Sequence, residues 1–300
     1  MPTAPKSREP ATGDWRYELW TRTKEALLSL PGYFLAPDIR VAGIYATEVF
    51  TLGATLGATI EDQVVTTLNR MRRVWDPADK YPLYTFVRQP QTFPDVLLMQ
   101  PGETTGKQNI AFGIELKGWC LLAKEQEPSY RYKVTPAACT DWDLLAVVPW
   151  HLSDVISGTP RVLAPWIAPA RHAAEYRNYW WQHLRKTKAS TEIRSPKGAT
   201  PYPSARDKVL DDPVSDAGNN FGRIARTGLM DEYKNLVFES LIAGIPAKYW
   251  WEFLKAFQQK PDPARIAAAL KNMGKAQKDA NAKLASRIAR RVLLMLRDAE

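Results

Sequence analysis

Two apolar stretches carry charges in their interiors: FPDVLLMQ holds Asp95, and GIELKGWCLL holds Glu115 and Lys117. A charge inside a buried strand is expensive unless it is paired or bound to a metal. Residues two apart share one face of a strand, so Glu115 and Lys117 point one way while Ile114, Leu116 and Gly118 point the other. If the strand that carries Asp95 pairs alongside, Asp95 and Glu115 converge near the strand ends. Two hard carboxylate donors, with positions left for water and phosphate, suit Mg²⁺. A lysine beside them completes the parts for phosphodiester hydrolysis. Asp95 and Glu115 would be the metal ligands, and Lys117 would position the attacking water or, with a depressed pKa, take its proton.

The elements that must place these residues are legible in outline. YELWTRTKEALLSL reads as a helix ending at Pro31-Gly32, and YATEVFTLGATLGATIEDQVVTTLNRMRRVW as a second, with Ile60, Val64, Leu68 and Met71 at helical spacing. The pattern then turns to strands: LYTFVRQ, TFPDVLLMQP and NIAFGIELKGWCLLAK, the last two separated by the turn-rich PGETTGKQ. TDWDLLAVVPWHL gives a further buried strand over Leu144 to Val148, closed by Pro149, and ARHAAEYRNYWWQHLRK a helix. Alternating strands and helices imply an α/β fold, a central mixed β-sheet flanked by helices, with a mainly helical C-terminal portion.

Pro94-Asp95 followed by Glu115-Leu116-Lys117 resembles the PD-(D/E)xK nuclease superfamily, which includes many type II restriction endonucleases. The resemblance covers about residues 48 to 150. It implies a restriction-endonuclease-like core and a preceding helix whose Glu faces the metal site. LGATIEDQVV offers Glu61 for that role, with Glu48 as the alternative and Asp62 adjacent. It further implies a helix after Lys124, leading into the strand at Leu144. The implied activity is Mg²⁺-dependent cleavage of specific double-stranded DNA sites, by a homodimer if the site is palindromic. A cognate methyltransferase would be encoded separately. The same catalytic set also serves structure-selective repair or recombination nucleases, and a DNA-binding protein with purely structural acids is the non-enzymatic rival.

Composition accords with an anionic partner. The chain has 300 residues and a net charge of +9, and no run long and apolar enough to span a membrane, so a cytoplasmic location is expected. Three regions follow: a nuclease core with N-terminal helices over 1–184, a basic loop or linker over 185–215, and a helical DNA-contacting or dimerising region over 216–300. Candidate DNA contacts are Lys186, Lys188, Arg194, Lys197, Arg206 and Lys208 in the loop, and Arg223 and Arg226 beyond it. Cys120 and Cys139 read as buried thiols, and His151, His172 and His183 have no metal-binding spacing. GETTGK lacks the spacing of a phosphate loop and reads as a turn.

Overall fold

The computed structural model describes residues 2–42, 45, 48–89, 92–102, 109–186, 190–218, 220–257 and 262–276. GETTGK falls largely outside them, as does Lys188. Helix α1 spans Arg16–Tyr33, α2 Leu52–Arg70 and α3 Arg72–Trp75. Strands β1 (Thr85–Arg88), β2 (Val96–Met99), β3 (Ile110–Cys120) and β4 (Leu144–Leu152) follow, then β5 (Pro160–Val162) and β6 (Trp166–Pro169). They form one mixed sheet in the order β1-β2-β3-β4, with β5 and β6 both pairing β4. Only the β3–β4 pair is parallel. Every residue of β4 is buried, as expected of a central strand covered on both faces.

Helix α2 packs on β1 and β3 and presents Ile60, Val64, Val65 and Leu68 to the core. Its last turn also closes the sheet's outer edge. The Asn69 side chain accepts from Phe86 N at 2.9 Å and donates to Phe86 O at 2.9 Å, so its amide acts as a strand partner for β1. Helix α1 lies against α2 and α3. Helix α4 (Ala170–Tyr179) leans on β4 and β6 and runs into a π-helical turn, Trp180–Leu184.

Several elements differ from the sequence reading for identifiable reasons. The β3–β4 crossover contains only a short 3₁₀ turn, Pro136–Ala138, where a helix is expected. Pro128 and Pro136 break that stretch, and its backbone bonds to later parts of the chain instead, Tyr132 N to Gly222 O and Thr135 N to Val209 O. Strand β4 continues through Pro149 to Leu152. Pro149 has no N–H to give, but its carbonyl accepts from Leu163 N at 2.9 Å. The C-terminal region is helical at α5 (Asp231–Phe238), α6 (Ala247–Lys255) and α7 (Pro263–Ala276). A hairpin of β9 (Leu241–Ile242) and β10 (Ile245–Pro246) interrupts it, turning at Ala243 and Gly244, both with positive φ. Trp181, Trp250 and Trp251 are core residues.

The basic stretch after α4 is mostly irregular but fastened to the body. Strands β7 (Ile193–Arg194) and β8 (Asp212–Pro213) pair, and Asp211 N bonds Lys133 O at 2.8 Å. Beneath it lies a buried ion pair, Arg177 Nη2 to Asp211 Oδ2 at 2.5 Å, in which the same guanidinium donates to the carbonyls of Tyr132 and Val134. Asp211→Ala would leave this guanidinium buried without its counter-charge. Denaturant unfolding is expected to register a loss of about 3–5 kcal/mol for that variant; a loss below about 1 kcal/mol, the range of surface pairs, would mean that the pair does not hold the segment down.

Candidate active site

The register explains why the charged residues meet. Val96 pairs with Ile114, so β2 begins where β3 still has Glu115 to Cys120 to run. Along that overhang the N–H groups of Leu116 and Gly118 point to the β2 edge with no strand opposite. Carboxylates take both: Leu116 N donates to Asp95 Oδ2 at 3.1 Å, and Gly118 N donates to Glu61 Oε1 at 2.9 Å. Asp95 N in turn donates to Glu115 Oε2 at 3.3 Å. Asp95 thus sits against the first residues of the overhang, and Glu61 one strand repeat further on.

Lys117 joins the set electrostatically. Its Nζ lies 2.8 Å from Asp95 Oδ2 and 2.9 Å from Glu115 Oε1. Burial pushes the Glu115 carboxyl up to about 7, against the pull of Lys117. For Lys117, burial works downward, but the Glu115 and Asp95 carboxylates outweigh it and raise its pKa. Lys117 is therefore a cation here. This arrangement does not supply the depressed pKa that a general-base lysine needs. Burial also raises the Glu61 pKa, with the Gly118 hydrogen bond and the Lys117 charge opposing.

The three acids that the sequence offers before the strands lie in different places. Glu48 is exposed at the start of a 3₁₀ turn, Glu48–Thr51, where its carboxylate accepts from Tyr45 N. Asp62 is exposed and faces Arg88. Glu61 alone reaches β3. The chain approaches closely enough because Gly53, Gly57 and Glu61 follow one another at i, i+4 and i+8 on α2. A methyl group on Gly118 would lie 3.4 Å from the Gly57 carbonyl oxygen, and one on Gly53 the same distance from Cys120 Cβ. That stripe was the signal in the sequence that could have separated Glu61 from Glu48. Near Asp95 the packing is tighter still. A Cβ on Gly113 would fall 2.1 Å from Pro94 Cγ, so β3 needs glycine there to let the Pro94-Asp95 turn settle beside it.

A cleft of about 530 Å³ opens at the site, lined by Asp95, Glu115 and Phe93 together with Arg206, Asp207 and Lys208. Two cations of the basic stretch thus line the same cleft as the acids, beside Asp207 and Asp212 of that stretch. Lys186, Arg194 and Lys197 are exposed elsewhere on that stretch. Arg223 and Arg226 are differently employed: Arg223 is buried and pairs with Glu125 and Glu127, and Arg226 Nε is 2.8 Å from Glu127. These arginines brace the segment after β3 instead of presenting free charge. The partner acids lie about a hundred residues away in sequence, so only the fold could reveal the pairing. Arg88, at the end of β1, is the neighbour of the site that the sequence did not mark.

Among the described residues no cluster of three or more His, Cys, Asp or Glu side chains has the geometry to hold a metal ion. The ammonium of Lys117 stands between Asp95 and Glu115, and Glu61 is turned to Gly118. The donor set still fits Mg²⁺, which is commonly bound by one or two carboxylates with water completing its shell. Among the described residues no helix is long and apolar enough to cross a membrane. Comparison with protein-family models, curated proteins and solved structures finds no match.

The raised Glu115 pKa has a consequence for stability. Between its ordinary value of 4.5 and about 7 the folded protein holds a proton that the unfolded chain has released. The corresponding stabilisation is complete below 4.5 and disappears as pH rises through about 7. Metal-free protein should therefore lose stability over this window in a pH series of thermal melts, and Glu115→Gln should flatten that part of the profile. Equal slopes in the two proteins would show that Glu115 titrates normally.

Proposed function

We propose that this protein is a Mg²⁺-dependent endodeoxyribonuclease with a restriction-endonuclease-like core, acting in the manner of a type II restriction enzyme on double-stranded DNA. The observation that carries the reading is the convergence of Asp95, Glu115 and Lys117 within hydrogen-bonding distance, with the two acids facing a cleft that Arg206 and Lys208 also line. A purely structural ion-pair cluster does not require such a cleft, and a binding module gains nothing from carboxylates where phosphate must approach. The positive net charge suits a polyanionic substrate.

Asp95 and Glu115 would hold the ion, which supplies charge neutralisation at the phosphate and acidifies water. The remaining chemistry belongs to the side chains. Lys117, cationic and within reach of both carboxylates, orients the attacking water and offsets the negative charge that grows on the phosphoryl oxygens as the new P–O bond forms and the old one breaks; the water's proton passes to solvent, and the departing alkoxide takes one from solvent. Glu61 keeps the overhanging strand in place and adds a second layer of negative charge. Arg206 and Lys208 grip phosphates on either side of the scissile one, setting the strand's register without reading its sequence. A palindromic site would be cut by a homodimer, with a separately encoded methyltransferase protecting host DNA in the cytoplasm.

Incubation of the protein with plasmid and phage DNA should give discrete fragments with Mg²⁺ and none with EDTA. Lys117→Ala should lower kcat by about 10²–10³ while leaving DNA binding intact. Smears independent of metal, or undiminished cutting by Lys117→Ala, would overturn the assignment. Cleavage confined to branched or single-stranded DNA would redirect it to repair or recombination. In binding titrations, Arg206→Ala and Lys208→Ala should each weaken affinity uniformly across sequences and reduce the salt slope by about one.

A further inference from the structure

Arg88 ends the edge strand β1, and its guanidinium reaches across to α2. Nη1 donates to Ala58 O at 3.3 Å and lies 3.4 Å from Asp62 Oδ1, while Nη2 is 3.8 Å from Glu61 Oε2. Gly118 N–H holds the other Glu61 oxygen, Oε1. The two oxygens of this carboxylate are therefore managed by different elements: one by the backbone of β3, the other by a cation from β1. An isolated, exposed ion pair contributes little to stability. This one differs in that its carboxylate is the acceptor for a strand-edge donor beside Lys117, and its guanidinium is tethered to the helix backbone one turn before Glu61. A planar guanidinium can meet Ala58 O, Asp62 and Glu61 together, which a lysine ammonium on a flexible stem would do less well.

We infer that Arg88 is a positioning residue of this site, holding Glu61 in the rotamer that caps Gly118 and thereby fixing the Lys117-bearing overhang of β3 against α2. Its part in catalysis rests on the nuclease reading above; its part in geometry does not. Arg88 itself need not touch the substrate. Loss of its guanidinium frees Glu61 to turn toward solvent, leaves Gly118 N–H without its acceptor and loosens the strand that aims Lys117.

The test uses ¹⁵N-glycine-labelled, metal-free full-length protein, with amide hydrogen exchange followed at Gly118 and at Gly113. The Gly113 amide donates to Asp143 Oδ1 at 2.7 Å and so reports unrelated opening of the same strand. Arg88→Gln should speed Gly118 exchange by about tenfold, as should Glu61→Ala, with Gly113 unchanged and Arg88→Lys intermediate. In the cleavage assay Arg88→Gln should lower kcat with KM for DNA unaltered. Unchanged Gly118 exchange in Arg88→Gln would overturn the inference, and so would a raised KM at constant kcat, which would make Arg88 a phosphate contact. If Gly118 exchange responds as expected but wild-type protein cuts no DNA with Mg²⁺, the positioning role stands and the nuclease assignment falls. If wild type cuts and Arg88→Gln matches it in exchange and rate, the positioning role alone falls.

Discussion

The structure turns on an unequal pair of strands. β3 is 11 residues long and β2 only 4, so part of the β3 edge has backbone donors with no strand to receive them. A buried donor left unsatisfied costs about 1–3 kcal/mol. Here Asp95 and Glu61 meet that need with side-chain carboxylates, which brings acids to the strand edge for a backbone reason before any chemistry is considered. Glu115 and Lys117 then project from the same overhang by strand alternation, and the ammonium bridges the acids. The close seating of α2, the glycine at position 113 and the Asn69 clamp on β1 all serve to hold this overhang in one place.

The charges at this strand edge are crowded and unevenly matched. Four carboxylates, Glu61, Asp62, Asp95 and Glu115, gather around two cations, Lys117 and Arg88. Glu115 remains poorly accommodated as an anion, its pKa displaced upward by burial despite the neighbouring ammonium. A core selected for stability alone would have replaced such a group with an apolar one of similar size. Asp95 and Glu115 open onto the cleft, whose far wall is the fastened segment carrying Arg206 and Lys208.

Local patterns made Asp95, Glu115 and Lys117 visible, because strand alternation needs no knowledge of distant contacts and charges in apolar runs stand out. Strand order was partly legible for the same reason. Proline misled in one direction and was underused in the other. Pro149 reads as a stop, yet a proline whose carbonyl is used can remain in a strand; Pro128 and Pro136 forbid a regular helix in the crossover, where the family resemblance implied one. Glu61 could have been preferred over Glu48 from the glycines at i−4 and i−8, which allow close approach of that face. Arg88, and the pairing of Arg223 with Glu125 and Glu127, have no sequence signature, since each depends on where separate elements pack.

Asp95 and Glu115 are proposed to form a divalent-cation site beside a cationic Lys117. The most direct measurement is anomalous scattering from crystals of the protein grown with Mn²⁺ as a Mg²⁺ surrogate. An anomalous peak is expected within coordination distance of both carboxylates, about 2.0–2.3 Å from their oxygens, with Lys117 Nζ displaced from between them. A structure at saturating Mn²⁺ with no peak there, and Lys117 still bridging Asp95 and Glu115, would contradict it.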